Sequence, residues 1–300
     1  MTSPLAQQVV LITGASAGIG AALAIVLAER HPGIRLAIAA RSKDKLEEVA
    51  DRGRAAGAEV LTVPTDIQVT EQVTALAETV LAHYGRVDAL VNNAGYGQMG
   101  PSELIPAAAA KRQFEVNVLG PLALTRTLIP TMREQGGGRI VNISSLGGRI
   151  TFPFGGLYSA SKFALEALSD ALRMELEPFN IQVSVVEPGP VRTEFFGVIN
   201  QGVLETIANP LDTPYRAAFQ KLEQLDQQVD RRAWTSEQVA EVIIRALTDR
   251  QPQPRYIAAT GGHFLVNLMT KVLSTKQVDR FWQRFYGIDQ VARDWQNRSR

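Results

Sequence analysis

Thr13-Gly14-Ala15-Ser16-Ala17-Gly18-Ile19-Gly20 is the stretch whose reading decides the fold. Gly14 to Gly18 fit G-x-S-x-G, the sharp strand-to-helix elbow that presents a nucleophilic serine. Extended to Gly20, the same letters fit a glycine-rich turn that cradles the phosphates of a dinucleotide. Both motifs follow a strand and open a helix. The choice therefore rests on what the rest of the chain supplies.

A nucleophilic Ser16 needs a later acid and then a histidine. The three histidines, His31, His83 and His263, are scattered, and nothing around His263 resembles a catalytic loop. That reading also leaves Gly20 without a role. The phosphate reading uses every glycine: Gly14 turns the chain, Gly18 admits the pyrophosphate and Gly20 lets the helix pack closely. The helix opening near Gly18 and Ile19 aims its free N–H groups and positive dipole end at the phosphates, with Ser16 as a further donor. The stretch reads as a nucleotide turn.

Working outward, short apolar runs alternate with helical stretches. Strands are expected at 9–13, 34–40, 59–64, 87–92, 139–144, 181–188 and 255–259. Helices are expected at 19–29, 42–57, 70–84, 106–133, 157–177 and 236–248. The strands are nearly unbroken apolar runs, as in a parallel sheet covered on both faces. The pattern predicts a Rossmann-type, doubly wound α/β fold of about seven parallel strands. One domain is expected over 1–260, with an irregular substrate-loop region at about 190–232 and an amphipathic helical extension over 261–300.

Composition narrows the function classes. Apolar residues make up 45% and charged ones 20%, with a net charge of +1, which leaves no electrostatic footprint for nucleic acid. The chain has no cysteine, and its histidines show no metal-ligand spacing. The start, MTSPLAQQ, lacks signal-peptide character, and no apolar run reaches the length of a membrane span. A cytoplasmic protein is expected.

The position about 20 residues past the last glycine commonly carries an acid that binds the ribose hydroxyls of NAD. Here it is Ala40, followed by Arg41, Ser42 and Lys43. The missing acid and the added cation suit a 2′-phosphate, since Arg41 can stack on adenine and form charge-assisted bonds. NADP(H) is expected to be preferred over NAD(H).

Of the tyrosines, only Tyr158 has a lysine four residues later, Lys162, on the same helix face. A phenol has a pKa of about 10, and each unit of lowering takes about 1.4 kcal/mol. An ammonium about 4 Å away at effective dielectric 20 supplies roughly 4 kcal/mol. The pair therefore suits proton transfer. Ser145 ends the fifth strand thirteen residues earlier, where its hydroxyl can hold a substrate oxygen. Asn92-Asn93-Ala94-Gly95 ends the fourth strand beside the topological switch point. Asn117, in EVNVLG, is polar on an apolar helix face and calls for a buried partner or water.

Taken together, TGASAGIG, NNAG, the Asn117 helix, Ser145, Tyr158-Ser159-Ala160-Ser161-Lys162 and Pro188-Gly189-Pro190-Val191-Arg192-Thr193 resemble the short-chain dehydrogenase/reductase family over about residues 7–259. The resemblance implies that Tyr158 is the general acid/base and that Ser145 orients the substrate oxygen. Lys162 would lower the tyrosine pKa and bond the nicotinamide ribose, and Asn117 would hold a relay water. Asp66 would bond the adenine amino group, while Pro188, Gly189, Val191 and Thr193 would seat the nicotinamide. Ile19, Ser42, Ile67, Asn93, Ala94 and Gly95 complete the implied cofactor site. Ala17 departs from the family, since many NADP-dependent relatives carry a basic residue there.

NNAGYGQMGPSEL, FGGLYSASKFALEALSDALRMELEPFNI and EPGPVRTEFF are similar to the branch containing 17-beta-hydroxysteroid and retinol dehydrogenases. That implies a lipophilic alcohol or ketone. Tyr96, Met99, Leu146, Phe152, Phe154, Phe195 and Phe196 fall where they would border the nicotinamide end of the cleft, with Ser145 and Tyr158 at its polar end. A reductase of polar acyl or sugar ketones is the alternative on the same scaffold. A non-catalytic NADP sensor is disfavoured, because sensing needs no proton donor. Subunit contacts in a homo-oligomer are expected through the 106–133 and 157–177 helices.

The tail carries two apolar stripes. Phe264, Leu265, Leu268, Met269, Val272 and Leu273 form the first. Ser274 and Gln277 have capping-box spacing, and Val278, Phe281, Trp282 and Phe285 follow at helical intervals up to Gly287. Residues 271–300 carry seven Lys/Arg against three Asp/Glu. Packing on the protein's own domain or a partner subunit is expected first, and peripheral contact with an anionic membrane second.

Overall fold

β1 (Val9–Thr13) shows why the chain folds as it does. Alternate side chains of a strand point to opposite faces. Val10 and Ile12 join one apolar layer, with Leu23, Leu27, Ile243 and Leu247, and Val9 and Leu11 join the other, with Leu76, Val80, Leu124 and Leu128. Both faces are dry, so the strand must be apolar throughout. Each such side chain contributes about 1.5–3 kcal/mol by leaving water.

The computed structural model describes residues 5–222 and 233–298. After β1 come α1 (Gly18–Arg30), β2 (Arg35–Ala40), α2 (Lys43–Ala55), β3 (Glu59–Pro64), α3 (Thr70–Tyr84) and β4 (Ala89–Asn92). The second half holds α4 (Ala107–Phe114), α5 (Gly120–Glu134), β5 (Gly138–Ile143), α6 (Gly156–Leu176) and β6 (Ile181–Pro188). α7 (Phe195–Thr206), α8 (Ser236–Thr248), β7 (Arg255–Ala258), α9 (Gly262–Asn267), α10 (Thr275–Phe285) and α11 (Ile288–Arg298) follow. The seven strands form one sheet in the order β3-β2-β1-β4-β5-β6-β7, every pair parallel. Strand order reverses between β1 and β4, which opens a crevice at their carboxyl ends.

Three sequence expectations need correction. The helix expected over 106–133 is broken: α4 and α5 are joined by a π turn at Glu115–Leu119 that contains Asn117. Pro121 has no N–H to offer the Asn117 carbonyl four residues back, so the regular α ladder cannot run through. The region after Phe195 is not wholly irregular, for it contains α7. The first tail stripe is also not one continuous helix. α9 gives way to a π turn at Leu268–Val272, Val266 and Met269 are buried, and Phe264 and Val272 are about 70% exposed (72% and 70%).

The second stripe docks in part. The Ser274/Gln277 capping box forms and starts α10. Tyr286 stacks on Phe152 at 5.6 Å, and Trp282 lies 6.0 Å from the same ring. Phe281 and Phe285 face outward beside Arg280 and Arg284. Beyond Gly287, whose φ of 73° ends the turn, α11 continues the helical extension expected over 261–300. No helix among the described residues is long and apolar enough to cross a membrane.

Candidate active site

Parallel strands bring their carboxyl ends to one edge, and the sequence-predicted residues gather there. The glycine turn follows β1, Arg41 follows β2, Asp66 lies beyond β3, Asn93 follows β4, Ser145 follows β5 and Gly189 follows β6. Thr13 Oγ1 accepts hydrogen bonds from the Asn93 and Ala94 N–H groups, each at 3.1 Å. Asn93 Nδ2 donates to the Thr13 and Gly14 carbonyls at 3.0 and 3.1 Å. The glycine turn and the NNAG segment are thereby locked across the switch point.

The glycines have separate physical reasons. Gly14 and Gly18 adopt φ of +65° and +54°, which side chains disfavour. A Cβ at Gly20 would stand 2.5 Å from the Gly14 carbonyl, and one at Gly18 would stand 3.1 Å from Thr193 Cγ2. No side chain caps α1 at Ala17, so its N–H groups face the crevice. The Ser16 hydroxyl has no protein partner among the described residues. No histidine is placed to activate it: His31 ends α1 at its far end, His83 pairs with Glu59, and His263 lies on α9 after β7, the sheet edge four strands away from β1. The cradle fits a dinucleotide's phosphates on its own geometry, and the nucleophile elbow is without a base.

Arg41 is exposed, and its guanidinium has no protein partner among the described residues. The Ala15 N–H donates to the Ala39 carbonyl at 3.2 Å, which ties the phosphate turn to the strand that ends beside Arg41. Ser42 begins α2 without capping it through its side chain. Asp66 is held by Gln68, whose backbone N–H donates to Oδ1 at 3.0 Å. Ile67 is buried where α5 approaches closely, for a Cβ on Gly120 would lie 2.5 Å from its carbonyl.

Ser145, Tyr158 and Lys162 come together as expected. Ser145 is extended and caps the short 3₁₀ turn Leu146–Gly148, its Oγ accepting from the Gly147 N–H at 3.0 Å. That leaves its O–H free to donate. Burial raises the Tyr158 phenol above its ordinary pKa, and the hydrogen bond with Ser145 works the other way. Lys162 Nζ lies 6.0 Å from the Tyr158 ring centroid and donates to the Ile143 carbonyl at 2.9 Å. Burial pushes its pKa down to about 8, partly countered by Glu166. A Cβ on Gly95 would stand 3.3 Å from Asn117 Oδ1 and 3.4 Å from Lys162 Nζ, so NNAG also closes on this pair.

Asn117 is committed through its side chain. Oδ1 accepts from the Tyr96 N–H at 3.1 Å, and Nδ2 donates to the Tyr96 carbonyl at 2.9 Å and to Ser161 Oγ at 3.0 Å. Its main-chain carbonyl lies in the π turn and receives no bond from Pro121. Sequence reasoning missed the partners of this side chain. Gln113, fully buried, receives the Gln98 N–H at 2.7 Å and donates to Ser161 at 3.4 Å. Only its place four residues before Asn117 hinted at a role.

The wall residues divide. Leu146 lies by the segment after β6, its Cδ1 3.5 Å from where a Gly189 Cβ would be. Pro188 closes β6, Val191 bridges to Trp234, and Thr193 faces Gly18. Met99 is half-buried beside Gly100, whose N–H donates to the Phe154 carbonyl at 2.8 Å. Phe152 and Phe154 meet the tail and the 216–222 helix, with Phe154 against Phe219 at 5.4 Å and Tyr215 at 5.9 Å. Phe154 sits at φ 65°, an uncommon conformation for a bulky residue, held by that cage. Tyr96 turns away to the α3/α5 layer with Arg112 over its ring at 5.7 Å. The side chains of Phe195 and Phe196 lie outside the described residues.

Comparison with known proteins agrees with this geometry. Residues 8–203 match the family described as short chain dehydrogenase. The chain is 35% identical over 284 residues to the uncharacterized oxidoreductase YbbO of Escherichia coli strain K12, covering 94% of this chain and 97% of that one. It is 35% identical over 257 residues to human 17-beta-hydroxysteroid dehydrogenase type 1, covering 84% and 77%. A short chain dehydrogenase/reductase from Burkholderia phymatum, solved in complex with NAD, superposes with a TM-score of 0.77 at 30% identity over 87% of this chain and 92% of that chain. With its parallel sheet, its glycine cradle and its Ser145-Tyr158-Lys162 cluster at the switch point, this chain belongs to the short-chain dehydrogenase/reductase family of nicotinamide-dependent oxidoreductases.

Proposed function

We propose that the protein is an NADP(H)-dependent oxidoreductase that interconverts a secondary or primary alcohol and its ketone or aldehyde on a lipophilic substrate. The observation that carries the reading is the Ser145–Tyr158 hydrogen bond with the buried Lys162 ammonium beside it. The nicotinamide, when bound, supplies or accepts the hydride. Gly14, Ser16, Gly18, Ile19 and Gly20 hold the pyrophosphate, with Arg41 and Ser42 on the 2′-phosphate. Asp66 and Ile67 flank the adenine, Asn93, Ala94 and Gly95 line the floor, and Pro188, Gly189, Val191 and Thr193 seat the nicotinamide.

In the reducing direction Ser145 O–H donates to the substrate carbonyl oxygen and Tyr158 O–H transfers its proton to it. Lys162 stabilises the phenolate left behind. A water on the Asn117 carbonyl returns the proton from solvent. The same steps reversed take the proton from an alcohol. We assign the catalytic unit to 1–260 and read 261–300 as an extension that closes the substrate end.

The lipophilic class rests on Leu146, Phe152 and Phe154 and on the aromatic cover that Trp282 and Tyr286 add. Such a wall suits an apolar body presenting one polar oxygen. A panel of steroid, retinoid, aryl and small charged carbonyls, followed by NADPH absorbance, is expected to give turnover with the apolar members. Turnover confined to small charged ketones would favour the polar acyl or sugar reading. Opening the cover with Trp282→Ala is expected to raise KM for bulky substrates several-fold, with a smaller change for small ones.

Assembly follows from exposed apolar side chains on the helices expected to pair. Leu119, Phe163 and Met174 are all exposed, the last at 62%. We assign a homo-oligomer through these helices, and expect Phe163→Glu with Met174→Glu to lower the mass seen by analytical ultracentrifugation. The outward face of α10, with Arg280 and Arg284 beside Phe281 and Phe285, is the part suited to an anionic surface. Flotation of the full-length protein with phosphatidylserine vesicles, lost in Arg280→Glu with Arg284→Glu, would make membrane contact the use of that face.

A further inference from the structure

Tyr158 and Lys162 are the first two steps of a ladder that continues along α6 at intervals of four residues, to Glu166 and Asp170. The helix therefore points all four side chains along one face. The upper two belong to the site already described. The lower two enter a charged cluster beneath it that the reaction, as written above, does not use.

Glu166 is 4% exposed and Glu187, at the end of β6, is wholly buried. Arg255 on β7 joins them: its Nε lies 3.0 Å from Glu166 Oε2 and 3.4 Å from Glu187 Oε1, and its Nη2 lies 2.5 Å from Asp170 Oδ2. Arg149, which follows the turn that carries Ser145, donates to Glu187 Oε1 at 2.9 Å. Ser144 and Glu166 crowd Gly148, where a Cβ would stand 2.6 Å from Ser144 Oγ and 3.1 Å from Glu166 Cγ. The charged groups that face Glu166 are thus Lys162 and Asp170 on its own helix, Glu187 on β6, Arg255 on β7 and Arg149 beyond the Ser145 turn.

Two buried carboxylates this close are costly, even with Arg255 shared between them and Arg149 on Glu187. Glu187 Oε2 is buried without a hydrogen-bond partner. A network built only to hold the fold would do better with apolar side chains of similar size. What this network has that an apolar one lacks is a negative charge one helical turn below Lys162, whose own ammonium is buried and bonded to a neutral carbonyl.

We propose that Glu166 is a positioning residue that keeps the Lys162 ammonium charged, and through it the Tyr158 phenolate, while Arg255 keeps Glu166 itself ionised. The inference rests on the proton-transfer role of Tyr158 proposed above. Its physical cause is charge pairing in a site where burial works against every ion. Burial and then Glu187 raise the Glu166 carboxyl to about 7, while the Ser144 hydroxyl and the Arg255 guanidinium favour its charge, which is therefore open to change near neutrality. When Glu166 takes up a proton, Lys162 loses the charge that favours its own proton, and the phenolate loses its cation.

The test is a pH titration of tyrosinate absorbance in full-length protein saturated with NADP+, taken as the difference from Tyr158→Phe. Glu166→Gln is expected to raise the Tyr158 midpoint by about one pH unit, a shift typical of a lost neighbouring charge. Arg255→Gln is expected to move it the same way, Arg255→Lys to leave it near wild type, and the double Glu166→Gln/Arg255→Gln to shift no further than either single change. Thermal midpoints and NADP+ affinity are measured beside each, since a purely structural network would lower the former and leave the titration alone. An unchanged Tyr158 midpoint in Glu166→Gln overturns the proposal, and if that variant does not fold, an unchanged midpoint in Arg255→Gln does so. Absence of any titration that Tyr158→Phe removes would instead overturn the proton-transfer reading, and the two failures are distinct.

Discussion

Tyr158→Phe is expected to bind NADPH with near wild-type affinity and to lose turnover by about 10²–10⁴-fold, the range for removing one general acid/base. That corresponds to roughly 3–5 kcal/mol of lost transition-state stabilisation. The substitution removes only the hydroxyl, and the ring keeps its place beside Gly147, whose added Cβ would lie 3.2 Å from Tyr158 Cε1. Both kcat and kcat/KM fall together when the interaction exists only in the transition state. Lys162→Met should differ in kind. It removes a buried cation that donates to the Ile143 carbonyl and flanks Gly95, so cofactor affinity and rate both fall. A Tyr158→Phe protein that keeps a large fraction of its rate would remove Tyr158 from the reaction.

Cofactor preference should be the next largest effect. Wild-type protein is expected to bind NADPH more tightly than NADH by fluorescence titration, and Ala40→Asp with Arg41→Ile to reverse the order. Arg41 stands exposed just past β2 with no acidic partner among the described residues, which suits a phosphate. One charge-assisted hydrogen bond contributes about 1.5–3 kcal/mol. Adding a carboxylate replaces that attraction with repulsion. Together these amount to roughly 3–5 kcal/mol, a few hundredfold or more in relative affinity. Equal affinity of the wild type for the two cofactors would show that Arg41 does not read the 2′-phosphate. Ala17, where a second cation is missing, makes Arg41 the main determinant and the double substitution correspondingly effective.

Much of this was legible before any coordinates, because its causes are local. A parallel strand buried on both faces must be apolar along its length, so the β-α alternation could be read from the spacing of apolar runs along the chain. Gly14 and Gly18 occupy backbone conformations that side chains disfavour, and the glycines marked the phosphate turn directly. The four-residue spacing from Tyr158 to Lys162 places both on one face of any helix. Boundaries came within a residue or two because the capping and turn residues that end each element lie beside it in sequence.

Other features depended on which segments meet. The π turn at Asn117 arises where Pro121 withholds a donor and α5 is drawn against Ile67, so helical periodicity over 106–133 concealed it. Tyr96 lay in the right segment, yet its ring turns to the α3/α5 layer, a choice made by neighbours distant in sequence. Phe152 and Phe154 gained aromatic partners more than sixty residues away, in the 216–222 helix and the tail. Glu166 continued a spacing already noticed, but Glu187 and Arg255, which give its charge a meaning, come from other strands. The sequence by itself determined the sheet, the phosphate turn and the pair of residues suited to proton transfer, because backbone geometry and residue spacing within an element set them. Tertiary structure alone decided the buried charge cluster, the side-chain partners of Asn117 and the packing of Trp282 and Tyr286 against Phe152, because long-range packing and desolvation set those.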